Sequence, residues 1–361
     1  MSPPVPLLLT VLLAPERATT LTPAQWDLLI RQARRALLLA RLAVVLQPVM
    51  HQLPSGPRHH LEAAILTVKR QAKLMRWEVE QIRQVLEPLG VPVILLKGAA
   101  YLLADLPASH GRVFGDVDIL VPKVRMDVIE AALLAHGWSF EEQLDAYDER
   151  YYRDWMHEIP PLTHEQRGSS LDVHHTILPP TARLQVNTAA LFDDLRPVRD
   201  VAAVQVLGST TMVLHSATHL FHEGELDKGL RDLLDLDSLL RGFGQDPAFW
   251  PSLTQRAAEL GLQQPLMMAL RYTSRLLGTP VPQDVLRAHD AIRPRPLLDF
   301  SYDRALMPLH ASCARPLTPL ARQAVYLRSH WLKMPTGLLV RHLVRKTWKR
   351  WTESAQPPEV A

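Results

Sequence analysis

Apolar residues recur at helical spacing at both ends of the chain, and the spacing shortens to that of strands between them. The opening MSPPVPLLLTVLLAPE carries a short apolar run that predicts a small packed helix. Thr22-Pro23-Ala24-Gln25 reads as a helix start, with Thr22 as N-cap, Pro23 at the first helical position and Gln25 placed to close a capping box. That helix is predicted to run to about Leu46, ahead of Pro48. After the Pro54-Ser55-Gly56-Pro57 break, Leu61, Ile65, Val68, Ala72, Met75, Val79, Ile82 and Leu86 recur every three or four residues. His60 to Glu87 is therefore predicted to be a long amphipathic helix.

The period changes at Gly90. Val91 to Leu96 is a continuous apolar run bounded by Gly and Pro, which predicts a buried strand. Gly98 to Leu106 follows as a helix, Phe114 to Val121 as a second strand ended by Pro122, and Lys123 to His136 as a helix with Gly137 just past its end. Strand, helix, strand, helix is the order of a small α/β unit. Asp145 to Met156 is predicted helical, Glu158 to Thr163 a strand in spite of its two prolines, and Ser170 to Ile177 a third alternating strand. Val204 to Leu207 is expected as an edge strand, with Ser209 as the next N-cap.

From Thr210 onward the patterns are almost all helical. Helices are predicted over Met212 to His222, Lys228 to Arg241, Pro247 to Leu260 with Asp246 as N-cap, Gln264 to Leu277, and Pro319 to Trp331 with Thr318 as N-cap. Gly337 to Trp351 mixes arginines and lysines with Leu and Trp, as in a basic amphipathic helix, and the polar tail after it is expected to be disordered. The predicted organisation is an α+β (mixed α/β) fold. A helical region over 1–89 leads into a mixed sheet-and-helix core over 90–208, followed by a second helical region over 209–351 and the tail over 352–361.

Composition adds bounds. The 361 residues, 47% hydrophobic and 21% charged, are enough for a substantial buried core. A formal net charge of +3 implies neither a nucleic-acid nor a membrane partner. A single cysteine, Cys313, excludes an intrachain disulfide and a cysteine-based metal site, which suits a reducing compartment. The apolar opening lacks a basic n-region and a small-residue cleavage site, and the apolar stretch from Ala36 to Met50 is interrupted by Arg41 and too short to span a bilayer. The expectation is a cytoplasmic protein.

Candidate chemistry centres on Gly115-Asp116-Val117-Asp118-Ile119-Leu120-Val121. Period-two alternation puts Asp116 and Asp118 on one face of a strand, where two like charges repel unless a cation or proton relieves them. In Ser170 to Ile177, Asp172, His174 and Thr176 share a face in the same way, so a third carboxylate arrives on another strand. Three hard oxygen ligands converging on a sheet suit Mg2+ and two-metal phosphoryl or nucleotidyl transfer, with Asp172 in a position to help remove the acceptor's proton. Lys97-Gly98 stands at a strand-to-helix junction, where free backbone N–H groups and a lysine charge suit phosphate.

Leu95-Leu96-Lys97-Gly98, Arg112, the Gly115–Val121 stretch and Leu171-Asp172-Val173-His174 together resemble the uncharacterised nucleotidyltransferase family of the polymerase-beta-like superfamily. The specific motifs cover Val91 to Leu178, and a looser likeness extends through Arg241. The resemblance implies a nucleotidyltransferase core with Mg2+ (or Mn2+) dependence and a nucleoside triphosphate donor, ATP being expected. It further implies Asp116 and Asp118 as paired metal ligands, Asp172 as the third carboxylate, and an acceptor that is a small molecule, peptide or protein. The superfamily's usual Gly-Ser is here Gly98-Ala99, so Lys97, Gly98, Arg112 and His174 are the candidates for nucleotide contact.

Plainer readings stand beside these. Lys97 could be an ion-pair partner for one of the aspartates, Arg112 a loop cation, and His174 a structural support. His215 and His219, at i and i+4, would bind zinc only if a third ligand arrived, and otherwise line a pocket or pack. Asp227, Asp232, Asp235 and Asp237 read mostly as a solvated acidic face. The competing functions are a non-catalytic scaffold that binds a peptide or protein through its helical flanks, and a kinase-like phosphotransferase using the same metal site.

Overall fold

The computed structural model describes residues 6–140, 151–335 and 337. Its seven strands are β1 (Val93–Leu95), β2 (Asp116–Leu120), β3 (Trp138–Phe140), β4 (Leu162–His164), β5 (Ser170–His174), β6 (Leu195–Pro197) and β7 (Val204–Leu207). They form one mixed sheet in the order β3-β4-β5-β2-β1-β7-β6. β2 pairs parallel to β5 and β1 parallel to β7, while the remaining neighbours are antiparallel. β1 is buried at every position, as its unbroken apolar run requires, whereas β2 starts exposed at Asp116 and is buried from Val117 on. The mixed α+β class expected from the sequence is the class observed.

Ahead of the sheet lie α1 (Leu7–Leu13), α2 (Pro23–Arg35), α3 (Leu39–Val45) and the long α4 (Ser55–Leu86). The capping box at Thr22 is present: the Gln25 N–H donates to Thr22 Oγ1 and the Thr22 N–H to Gln25 Oε1. One helix expected to reach Leu46 is instead two. Leu37 takes a left-handed φ of 57°, which ends α2 and re-aims the chain so that Leu38, Leu42 and Leu46 all reach the core. α5 (Lys97–Leu103) follows β1 and α6 (Met126–Ala135) follows β2, with Gly137 just past α6 at φ 84°.

The strand expected over Glu158 to Thr163 is displaced. Pro160 and Pro161 have no N–H to give to a ladder, so pairing resumes only at β4, and Glu158 makes an isolated bridge to His174. The helix expected over Asp145 to Met156 lies partly outside the described residues, and Tyr151–Trp155 form a short π-helical turn. β3 and β6 were not anticipated, because three residues carry too little periodicity to read.

After the short α7 (Thr188–Leu191), the helices are α8 (Ser209–His222), α9 (Gly229–Phe243), α10 (Phe249–Leu260), α11 (Gln263–Leu277), α12 (Gln283–Ala288), α13 (Pro296–Ala305) and α14 (Thr318–Lys333). Ser209 and Thr318 are first helical residues rather than caps, which are Gly208 and a left-handed Leu317. α12 and α13 had no counterpart in the sequence reading. Apart from Gly337, the basic segment to Trp351 and the polar tail lie outside the described residues. One continuous apolar cluster joins Leu8 of α1, Val93 and Val173 of the sheet, and Tyr302 of α13. Among the described residues no helix is long and apolar enough to cross a membrane.

Candidate functional site

Parallel pairing of β2 with β5 sets Asp118 beside Asp172, Asp116 beside Ser170 and Leu120 beside His174. Paired residues share a face and each strand alternates, so Asp116, Asp118, Asp172 and His174 belong to one face of the sheet. Val117, Ile119, Leu171 and Val173 alternate with them and are buried, which gives this part of the sheet its core side.

Asp118 is 2% exposed. Its Oδ1 accepts from Lys97 Nζ at 2.5 Å and from His174 Nε2 at 3.1 Å. His174 Nδ1 lies 3.1 Å from Glu158 Oε2, so the imidazole bridges two carboxylates. Burial alone would push the Asp118 carboxyl up, but the Lys97 charge and the His174 hydrogen bond hold it well below the carboxylate range. Burial likewise opposes the Lys97 ammonium, and Asp118 outweighs it and keeps the lysine charged. For His174 burial is outweighed by Glu158 and the Asp118 bond, which raise its pKa.

Asp172 behaves in the opposite way. Burial, followed by the charges of Asp118 and Glu158, pushes its carboxyl up to about 7. Asp172 belongs with Asp118 and His174 to a group whose donor atoms all lie within 4.8 Å of one another. His157, Glu158 and His174 form a second such group. Asp116 stands exposed at the open start of β2 and joins neither group among the described residues.

Lys97 opens α5 in a left-handed conformation, φ 46°, which a side-chain-bearing residue adopts at a cost of about 1–3 kcal/mol and which tends to mark functional positions. Gly98 next to it is required by packing: a Cβ there would lie 2.2 Å from Arg112 Nη1 and 2.9 Å from its Cζ. Arg112 in turn is not open to a ligand as a loop cation would be. It is buried, its Nε donates to Asp235 Oδ2 at 2.7 Å, and its guanidinium carbon sits 5.7 Å from the Tyr101 ring centre. The other Asp235 oxygen accepts from Arg41 Nη2 at 2.8 Å. Ala99 is buried within α5.

This corrects the reading of the α9 acidic residues as a solvated face. α9 turns Leu230, Leu233, Leu236 and Leu240 into the core, and Asp235 goes in with them because two arginines from distant segments match its charge. Asp232 pairs with Arg231 and Asp237 with Arg241, while Asp227 remains exposed.

α8 brings His215 and His219 toward the same region. Burial, with the Lys97 charge next, presses His215 down to about 3 and His219 well below its usual value, so both are neutral. Neither joins a metal-capable group among the described residues. Glu158 and His157 are the residues that sequence reasoning passed over. Glu158 headed a predicted strand, but only the pairing of that strand with β5 sets it against His174, and no local pattern carries a register.

The donor set fits a hard divalent cation. Two carboxylates side by side on adjacent strands leave room for waters and phosphate oxygens, and a carboxyl raised by neighbouring negative charge is relieved by a cation. Lys97 and His174 share Asp118 Oδ1, and among the described residues no hydrogen bond engages Oδ2 or the Asp172 carboxylate, which leaves both for such an ion. Residues 22–278 match the model of the family described as uncharacterised nucleotidyltransferase. No match is found among curated proteins or among solved structures.

Proposed function

Since the chain belongs to the uncharacterised nucleotidyltransferase family, we propose that it moves a nucleoside monophosphate from a nucleoside triphosphate, with ATP the expected donor, to an acceptor, using Mg2+ or Mn2+. The carrying observation is Asp118 in register with Asp172 on parallel strands, with Lys97 on Asp118. Asp118 and Asp172 would hold the cation, with Asp116 at the open start of the strand as the additional carboxylate. When bound, that cation would neutralise phosphate charge and align the attacking and leaving oxygens.

The chain's own residues divide the remaining tasks. Lys97 keeps Asp118 ionised and fixed in direction, and His174, held between Asp118 and Glu158, orients it from the other side. Asp172, beside Asp118 on the neighbouring strand, is placed to take the acceptor's proton as the acceptor oxygen attacks the α-phosphorus and the bond to pyrophosphate breaks. The Arg112–Asp235 pair, packed against Gly98, supports the backbone from which Lys97 extends. In this reading residues 90–208 carry the chemistry and the helical regions on either side recognise the acceptor.

The test is transfer of α-phosphate-labelled nucleotides in the presence of Mg2+. Asp118→Asn and Asp172→Asn should each lower transfer by about 10²-fold or more. Wild-type transfer in both variants would sink the assignment. One observation favours a second reading: Asp118 Oδ1 already takes both Lys97 and His174, so its charge is matched within the protein, as a non-catalytic scaffold would arrange it. Thermal stabilisation by any nucleoside triphosphate with Mg2+ rules that scaffold out, and the mass added to a modified acceptor separates nucleotidyl from phosphoryl transfer.

A further inference from the structure

The loop ahead of β4 brings a second group of donors to the far side of His174. His174 Nδ1 lies 3.1 Å from Glu158 Oε2, and His157 Nε2 lies 3.7 Å from the same oxygen. Around a tetrahedral zinc with bonds of about 2.0–2.1 Å, neighbouring ligand atoms stand about 3.3 Å apart, a value that these two distances bracket. All three donor atoms lie within 4.8 Å of one another.

Two further features point to a ligand there. His157 Nε2, the nitrogen turned to Glu158, is beyond hydrogen-bond reach of it and has no other hydrogen bond among the described residues. A largely buried imidazole left without hydrogen bonds is rare and calls for an explanation. His174 meanwhile presents its other nitrogen, Nε2, to Asp118 Oδ1 at 3.1 Å. Metal-ligating histidines are held in this way, one ring nitrogen on a carboxylate and the other on the metal.

We propose that His157, Glu158 and His174 form a binding site for a divalent transition metal, Zn2+ above all, separate from the carboxylate pair on β2 and β5. Two imidazole nitrogens and one carboxylate select Zn2+ or Co2+ over Mg2+, which takes oxygen donors. A metal bound there would displace to solvent any proton held between His174 Nδ1 and Glu158. Three protein ligands leave a fourth position for water or for a substrate oxygen, as in catalytic rather than structural zinc sites. The site depends on no step of the transfer reaction.

Tag-free, full-length protein stripped with a chelator is titrated with Co2+ and then with Zn2+. The expected result is one Co2+ per chain with the visible absorption of a four- or five-coordinate centre that Zn2+ abolishes, beside any weakly absorbing six-coordinate Co2+ on the carboxylate pair. His157→Ala and Glu158→Gln should each weaken Co2+ binding by about tenfold or more. The isosteric Glu158→Gln decides the matter should His157→Ala not fold. Asp172→Asn should keep the Co2+ spectrum, so loss of nucleotide transfer in that variant with Co2+ retained separates the two sites. The proposal is overturned if wild-type protein takes up no Co2+, if Glu158→Gln binds it as tightly as wild type, or if Asp172→Asn loses it equally.

Discussion

Asp235→Asn removes the carboxylate that two buried arginines share. Arg41 Nη2 donates to Asp235 at 2.8 Å and Arg112 Nε at 2.7 Å, with the aspartate 3% and the arginines 7% and 8% exposed. Taking one partner from a buried ion pair costs about 3–5 kcal/mol, because the remaining charge is left without compensation. Here two guanidiniums lose their counter-charge and the asparagine oxygen can serve only one of them, so the upper half of that range, about 4–5 kcal/mol, is expected. At about 1.4 kcal/mol per decade this is roughly a 10³-fold fall in the folding equilibrium, and at about 2 °C per kcal/mol a drop of about 8–10 °C in Tm. Urea unfolding followed by circular dichroism, with a thermal melt beside it, gives both numbers. Asp27→Asn is the control: its ion pair with Arg31 is exposed at both side chains, 64% and 57%, and a loss of about 1 kcal/mol or less is expected. If Asp235→Asn unfolds within 1 kcal/mol of wild type, the cluster does not hold the helices together and the support assigned to Gly98 and Lys97 falls with it.

Two more outcomes follow from the same geometry. Gly98→Ala drives a Cβ to 2.2 Å from Arg112 Nη1, so in spite of alanine's better helix propensity it should destabilise by about 2 kcal/mol or more, whereas in an Arg112→Ala background it should be neutral or stabilising. A double-mutant cycle measured by urea unfolding checks this, and equal effects in both backgrounds would refute the contact. Asp172 supplies a pH signature. Its folded carboxyl near 7 lies above the unfolded value, so the folded state binds the extra proton and stability falls as pH rises from about 4 through 7. Melts in EDTA should show that fall in wild type and a smaller one in Asp172→Asn, and added Mg2+ should raise Tm more at pH 8 than at pH 5. Equal Mg2+ shifts at the two pH values would contradict the assigned metal ligands.

Much of this protein was legible without its structure. The alternation in Asp116-Val117-Asp118-Ile119 and in Leu171-Asp172-Val173-His174 determined which side chains share a face, because a strand's period is a local property of its backbone. The Thr22 capping box and the long α4 followed from equally local rules. What the sequence could not determine was which strand lies beside which. The register that sets Asp118 against Asp172, and Glu158 against His174, is closed by hydrogen bonds between segments far apart in the chain. Nor could it assign the charge of Asp235 to the core, since an aspartate in a helix reads as solvated until two arginines, one before the sheet and one between β1 and β2, are seen to meet it. Periodicity reports the face that a residue takes on its own element, while burial and pairing depend on partners that only the closed fold brings within a few ångströms.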